Sequence, residues 1–374
     1  MNSKRKFSVL LIGPPRGRMG GVTDYLSMLM SNLNHNFEIC YLSFGRKNPA
    51  DSPTLAIIGF VNDMIALFRV ITKKYFDIIQ LNPSFKINSL VRDSIYLLLI
   101  SMAHQGRKTV VFFHGWDEFL AERIKRSAFL TKLIRSIYKK VSTIVVLYDT
   151  CREQLINLGV DPAKIRVETT MYASYRNSKE GEGPIKEKID KKKTILFMSR
   201  FVRAKGLFIA ADVARFLVQN RPNEFRFIFA GGGPEFEGLK KHVSEQGLED
   251  YIDVPGFVSG EAKKKILAKS DIFLFPTYFG EGCPVVILEA MGAGLAIVST
   301  PVGAIPDIVT HNENGFIINS KDPKEFYEAI IKLVDDERLL RKIQKMNIEK
   351  AEKNYEAKVA TRRIEKLYMS VIQA

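Results

Sequence analysis

Acidic side chains are in deficit: 41 Asp and Glu stand against 56 Lys and Arg, a formal net charge of +15 over 374 residues. Such an excess calls for an anionic partner. Nucleic acid is not the expected one, because no helix-turn-helix, zinc-finger or aromatic RNA-binding signature accompanies the charge. Cysteine is scarce. Cys40, Cys151 and Cys283 have neither metal-ligand nor redox spacing, which excludes a disulfide scaffold and fits a reducing cytoplasm. Long apolar runs are also missing. Residues 7–13 (FSVLLIG) are too short for a signal peptide and enter a glycine loop, so they read as a first strand. IIGFVNDMIALFRVI is broken by polar residues and SIYLLLISMA is too short to cross a bilayer, so no transmembrane segment is expected. No internal repeat or low-complexity tract appears.

What is present is an alternation of strands and helices, with 46% hydrophobic residues, ample for two cores. FSVLLIG, FEICYLSF, DIIQL, TVVFFH and TIVVLY are strand-like runs of the first half, continuous enough for buried parallel strands. Residues 175–193 are polar, charged and glycine-bearing, the composition of a linker. TILFM, FRFIFA, IDVPGFV, DIFLF, AIVST and GFIIN then repeat the pattern. The expected fold is α/β, two doubly wound Rossmann-like domains facing a cleft. The boundaries fall at 1–178 and 190–354, with a helix over about 355–374 completing the chain.

Residues 276–294, PTYFGEGCPVVILEAMGAG, organise the rest. A strand ends at Pro276, a loop with two glycines carries Glu281, and Pro284 suits the first turn of a helix that carries Glu289. Gly292 and Gly294 end that helix with a left-handed cap. A strand end, a glycine loop and free helix amides make an anion site. Two carboxylates eight residues apart flank it, so phosphate and hydroxyl groups can be held together, as a sugar nucleotide requires. Arg200 and Lys205 lie at another strand end, where a fork and a point charge can neutralise a diphosphate. His114 ends a first-half strand, the position at which open α/β sheets bind ligands. Gly20 and Gly21 precede a helix and allow phosphate to approach its amides; by themselves they make a βα turn.

Embedded in Pro276, Thr277, Gly282, Pro284, Leu288, Ala290, Met291 and Gly294, the Glu281-x7-Glu289 pattern resembles the signature of the family-4 retaining glycosyltransferases of GT-B fold. Two positions depart from it. The usual G-x-P after the helix reads Gly294-Leu295-Ala296, and the first-half Asn-Gly turn reads Val167-Glu168-Thr169-Thr170-Met171. The resemblance implies a sugar transferred from a nucleoside-diphosphate sugar to a hydroxyl acceptor, with retained anomeric configuration. That acceptor would be a glycan or a lipid-linked intermediate of cell-surface glycan synthesis. It implies that Arg200 and Lys205 stabilise the leaving diphosphate, Glu281 grips the donor sugar, Glu289 holds the ribose and His114 closes the site from the other domain. Gly20, Gly21, Gly232, Val258, Gly282, Cys283, Pro284 and Val285 would complete the donor pocket. The last helix would cross back onto the first domain. No cofactor and no metal is expected, since no Asp-x-Asp occupies a candidate donor site and two cations stand in for one.

Residues 121–140, AERIKRSAFLTKLIRSIYKK, read as one basic amphipathic helix suited to an anionic membrane surface. That places the protein in the cytoplasm, peripheral on the inner face of the plasma membrane. Two alternatives stay open: a GT-B sugar-nucleotide epimerase, and a non-catalytic sugar-nucleotide-binding subunit.

Overall fold

A computed structural model describes residues 6–18, 20–45, 52–103, 108–174, 192–280 and 282–374. The chain divides into two compact units, Met1–Met171 with Ala357–Ala374, and Tyr172–Glu356. Most of the expected linker, 175–191, and one expected site residue, Glu281, lie outside the described residues.

The first unit runs β1 (Phe7–Gly13), α1 (Gly21–Asn32), β2 (Phe37–Ser43), α2 (Pro53–Lys73), β3 (Ile78–Leu81), α3 (Ile87–Ala103), β4 (Lys108–Phe112), α4 (Glu118–Lys125), α5 (Ala128–Lys139), β5 (Thr143–Val146), α6 (Asp149–Asn157) and β6 (Ile165–Val167). Its six strands lie in the order β2-β1-β3-β4-β5-β6, and every pairing is parallel. Val9, Leu10, Ile78, Ile79, Val110, Ile144 and Val145 are all fully buried, as strands covered on both faces must be. Strand order reverses between β1 and β3, the crevice where open α/β sheets take ligands.

The second unit runs β7 (Lys193–Met198), α7 (Leu207–Asn220), β8 (Phe225–Ala230), α8 (Phe236–Glu245), β9 (Ile252–Gly256), α9 (Gly260–Lys269), β10 (Ile272–Phe275), α10 (Val285–Gly292), β11 (Ala296–Ser299), α11 (Ile305–Ile308), β12 (Gly315–Ile317), α12 (Pro323–Asp335) and α13 (Glu337–Asn354). Its parallel sheet is ordered β12-β11-β10-β7-β8-β9, with the reversal between β7 and β10. Phenylalanine dominates this core. Phe197 stacks on Phe229 at 5.4 Å and meets Phe275 at 6.3 Å, adding aromatic contact to burial.

The chain then returns to the first unit as α14 (Ala357–Gln373). Buried Tyr368 donates to Gln80 Oε1 of β3 at 2.7 Å. Arg363 holds Glu168 at 2.8 Å and Thr169 at 3.1 Å. The stretch that departs from the family's Asn-Gly turn is thus the seat of α14.

Three local expectations are corrected. Residues 121–140 are not one helix: α4 ends at Lys125, and Ser127 starts α5 by accepting from the Leu130 amide at 3.3 Å. A serine side chain competing for backbone amides breaks the run. Pro284 is the N-cap of α10 and not its first-turn residue, with φ −73° and ψ 108°. α2 is an unbroken helix, and Thr54–Lys73 is by length and composition apolar enough to cross a bilayer.

Candidate functional site

In the second unit, three strand-end loops meet at the reversal between β7 and β10. After β7 the chain makes a short 3-10 turn, Arg203–Lys205, then Gly206 in the left-handed region at φ 78° before α7. A Cβ at Gly206 would lie 2.0 Å from the Pro276 carbonyl oxygen, so this loop presses on the loop that follows β10. The Tyr278 amide donates to Ala204 O at 2.9 Å. Replacing Gly206 by alanine combines left-handed strain with a backbone clash. The expected loss is on the order of 3 kcal/mol of unfolding free energy, measured by urea titration.

After β8, Gly231, Gly232 and Gly233 wrap the β7 loop. A Cβ at Gly231 would meet Ser199 O at 1.9 Å, and Gly232 O accepts from the Phe201 amide at 2.9 Å. The β9 end joins them, since Gly256 O accepts from the Gly231 amide at 2.8 Å. Half-buried Val258 follows in the next loop, beside exposed Phe257. The β10 loop is fixed from the far side by β11. Ser299 Oγ donates to Phe275 O at 2.7 Å, Thr300 Oγ1 donates to Thr277 O, and the Ala304 amide donates to Gly282 O at 2.9 Å.

Charge is distributed unevenly over these loops. Arg200 is exposed and makes no ion pair among the described residues. The Lys205 ammonium lies 4.5 Å from the Phe279 ring centre and 5.8 Å from that of Phe275. Arg203 is bound on the surface, to Glu235 at 3.0 Å. Pro284 caps α10 without a side-chain hydrogen bond and its carbonyl accepts from the Ile287 amide at 3.0 Å, so the first-turn amides left to an outside acceptor are those of Val285 and Val286. Cys283 is half-buried and free of disulfide. Glu289 is 6% exposed on α10 and its Oε1 takes the Lys263 ammonium of α9 at 2.5 Å. A carboxylate this buried needs such a counter-charge. No motif points to Lys263, because the pair joins residues 26 positions apart through the tertiary fold.

In the first unit His114 follows β4. Its ring stacks on Phe112 at 4.4 Å and meets Tyr25 at 4.7 Å. Burial among these rings pushes its pKa down to about 3, so the imidazole is neutral at ordinary pH. Its tautomer follows from hydrogen-bond accounting. Asn82 Nδ2 donates to Ile12 O at 2.9 Å, which makes Asn82 Oδ1 the acceptor of Gln80 Nε2 at 2.8 Å and of His114 Nε2 at 3.0 Å. His114 therefore donates through Nε2 and offers Nδ1 as an acceptor. A neutral imidazole can meet a ligand as a hydrogen-bond partner but not as a cation. Beside Asn82 opens a cavity of about 410 Å³, lined in part by Arg18, Ser84, Arg92, Asp93 and Tyr96. The Tyr96 hydroxyl is buried with no hydrogen-bond partner among the described residues. Gly20 is the N-cap of α1, Gly21 is its first residue, and nothing lies within 4 Å of a Cβ built at either. Among the described residues no group of three or more His, Cys, Asp or Glu gathers as for a metal ion.

Residues 179–353 match the family described as glycosyl transferases group 1. The fold matches that of Anabaena Alr3699/HepE, solved with UDP and glucose, with a TM-score of 0.71 at 17% identity, covering 96% of this chain and 99% of that one. The chain has the GT-B fold, and the family match lies in its second unit. In sequence it is similar to WcaL of Escherichia coli (strain K12), a protein named for colanic acid biosynthesis. Identity there is 26% over 272 residues, covering 71% of this chain and 64% of that protein. It is also similar to the amylovoran biosynthesis glycosyltransferase AmsK of Erwinia amylovora, 26% identical over 241 residues, covering 62% and 56%. The chain thus spans less than two thirds of the length of these curated relatives.

Proposed function

We propose that the protein transfers a sugar from a nucleoside-diphosphate sugar to a hydroxyl acceptor, with retention and without a metal. The observation that carries this reading is the meeting of the β7, β8 and β10 loops where the second sheet reverses, with Arg200, Lys205 and the open α10 amides on the same set of loops. In this reading the two cations and the α10 amides neutralise the departing diphosphate. Glu289, held by Lys263, accepts from the ribose hydroxyls; Glu281 holds the sugar hydroxyls. His114 Nδ1 accepts a hydrogen bond from the donor sugar. The incoming hydroxyl attacks the anomeric carbon on the face the diphosphate leaves, and a phosphate oxygen takes its proton.

Relatives named for colanic acid and amylovoran biosynthesis favour a polysaccharide or lipid-linked acceptor. The polar cavity beside Asn82 is its place. Contact of residues 121–140 with an anionic membrane from the cytoplasmic side belongs to the same reading.

The test is acceptor-dependent release of UDP or GDP from a panel of sugar nucleotides, with and without chelator. Transfer that persists in chelator and retains the anomer supports the reading. Release of a free sugar or an epimer without acceptor favours the epimerase. For Glu289→Gln, the expected result is a loss of donor affinity of about 1–3 kcal/mol by calorimetry, since one charged partner of a buried hydrogen-bonded set is lost. Unchanged affinity removes Glu289 from the ribose.

A further inference from the structure

The first unit turns an apolar face outward. On α2 exposed apolar positions recur at helical spacing: Leu55 is 56% exposed, Ile58 51%, Ile65 44% and Phe68 51%. α3 adds Ile87, Val91, Leu98 and Met102, all exposed, along one stripe. α2 packs on α3, and α3 on α5. Between α3, α4 and α5 lies an apolar groove of about 630 Å³, lined by Val91, Phe119, Leu130, Leu133 and Ile137 among others. Ordinary surface helices place polar side chains at such positions, and exposed apolar area of this extent marks an interaction face.

Charge selects the partner. Arg123, Lys125, Arg126, Lys132, Arg135, Lys139 and Lys140 are all exposed on or beside α4 and α5, opposed there by the exposed Glu118 and Glu122. An apolar surface edged by cations complements an anionic bilayer, with headgroups on the cations and acyl chains against the apolar side chains.

We propose that α2, α3, α4 and α5 form one face that docks on an anionic lipid bilayer, with α2 lying in the plane of the interface and the groove receiving hydrocarbon chain. α2 does not cross the bilayer in this arrangement. Leu67 and Ile71 are fully buried, Phe60 lies 5.7 Å from the Tyr96 ring, and Asp63 accepts from the Gly45 amide at 2.9 Å. Spanning would strip these contacts from the unit. The inference deepens the membrane contact proposed above, and it rests on that reading for the identity of the lipid side.

The experiment is flotation of the full chain with phosphatidylcholine vesicles and with vesicles that also carry phosphatidylglycerol. The wild type is expected to float with the second kind, and less so as salt rises. Ile58→Asp with Ile65→Asp should lower partitioning about tenfold or more while circular dichroism stays unchanged. Arg123→Glu with Arg126→Glu should erase the preference for anionic vesicles. Equal flotation of the wild type and the aspartate variant overturns the proposal. So does a wild type that stays in solution with both vesicles; if the aspartate variant then turns a dimer into a monomer on gel filtration, the face belongs to a second copy of the chain. Donor binding is measured in parallel. Intact binding without flotation removes docking and leaves sugar transfer standing, whereas flotation without transfer does the reverse.

Discussion

If the protein transfers sugar as proposed, Arg200→Ala and Lys205→Met should each lower kcat/KM by about 2–4 kcal/mol, roughly 30- to 1000-fold. The leaving diphosphate gains negative charge as the glycosidic bond breaks, so a cation beside it is worth more in the transition state than in the bound donor. The loss therefore falls mainly on kcat, with a smaller change in donor affinity. Arg200 is exposed and unpaired among the described residues, so its removal leaves no buried partner behind and the fold is spared. Lys205 packs on Phe279, and methionine keeps that apolar contact. Arg200→Lys recovers part of the rate, because one point charge replaces a forked donor. Steady-state kinetics with calorimetry of donor binding check both variants. Rates near wild type in both remove the leaving-group role.

The second large effect concerns His114. His114→Ala is expected to lower turnover about 100-fold, with donor affinity changed by a few-fold at most. The neighbouring amide offers a sharper test. In the wild type His114 is neutral down to about pH 3, so it contributes no limb to the rate profile near neutrality. Asn82→Asp puts a carboxylate where Nε2 donates, which favours the imidazolium and raises its pKa. Protonation then fills Nδ1, the atom proposed to accept from the sugar. Activity of the variant should fall as pH drops through the raised pKa, while the wild type is flat over that interval. A variant whose profile parallels the wild type removes Asn82 as the positioning residue. The stability consequence has a definite sign: His114 has its folded pKa depressed from 6.5 to about 3. Its contribution is complete above the unfolded value and is lost as pH falls through that window. The melting temperature of His114→Phe should accordingly decline less on acidification than that of the wild type.

Much of the fold was legible because buried parallel strands write themselves as short apolar runs. FSVLLIG became β1 and FRFIFA became β8 with their bounds intact. After β8 a Cβ at Gly231 or Gly233 would meet backbone oxygen at 1.9 or 2.5 Å, whereas Gly232, the one expected in the donor pocket, has room for one. The split of residues 121–140 was not, because one serine inside a periodic run carries little weight until its hydroxyl is seen on the Leu130 amide. Exposure of α2 was equally hidden: its apolar residues suit a buried helix as well as an unpartnered one, and only the packing shows which. Long-range polar partners left no trace. Lys263 on Glu289, Asn82 on His114, and Tyr368 on Gln80 at a separation of 288 residues join side chains by tertiary contact, and no spacing rule reaches them. Motif reading found the candidate site residues and missed the side chains that hold them in place.

The most direct test of the account is a crystal structure of the protein with UDP or GDP bound. The diphosphate is expected on Arg200, Lys205 and the first amides of α10, with the ribose hydroxyls on Glu289 while Lys263 keeps its grip on that carboxylate. A nucleotide bound elsewhere, with Arg200 still in solvent and Glu289 contacting no ribose, would contradict it.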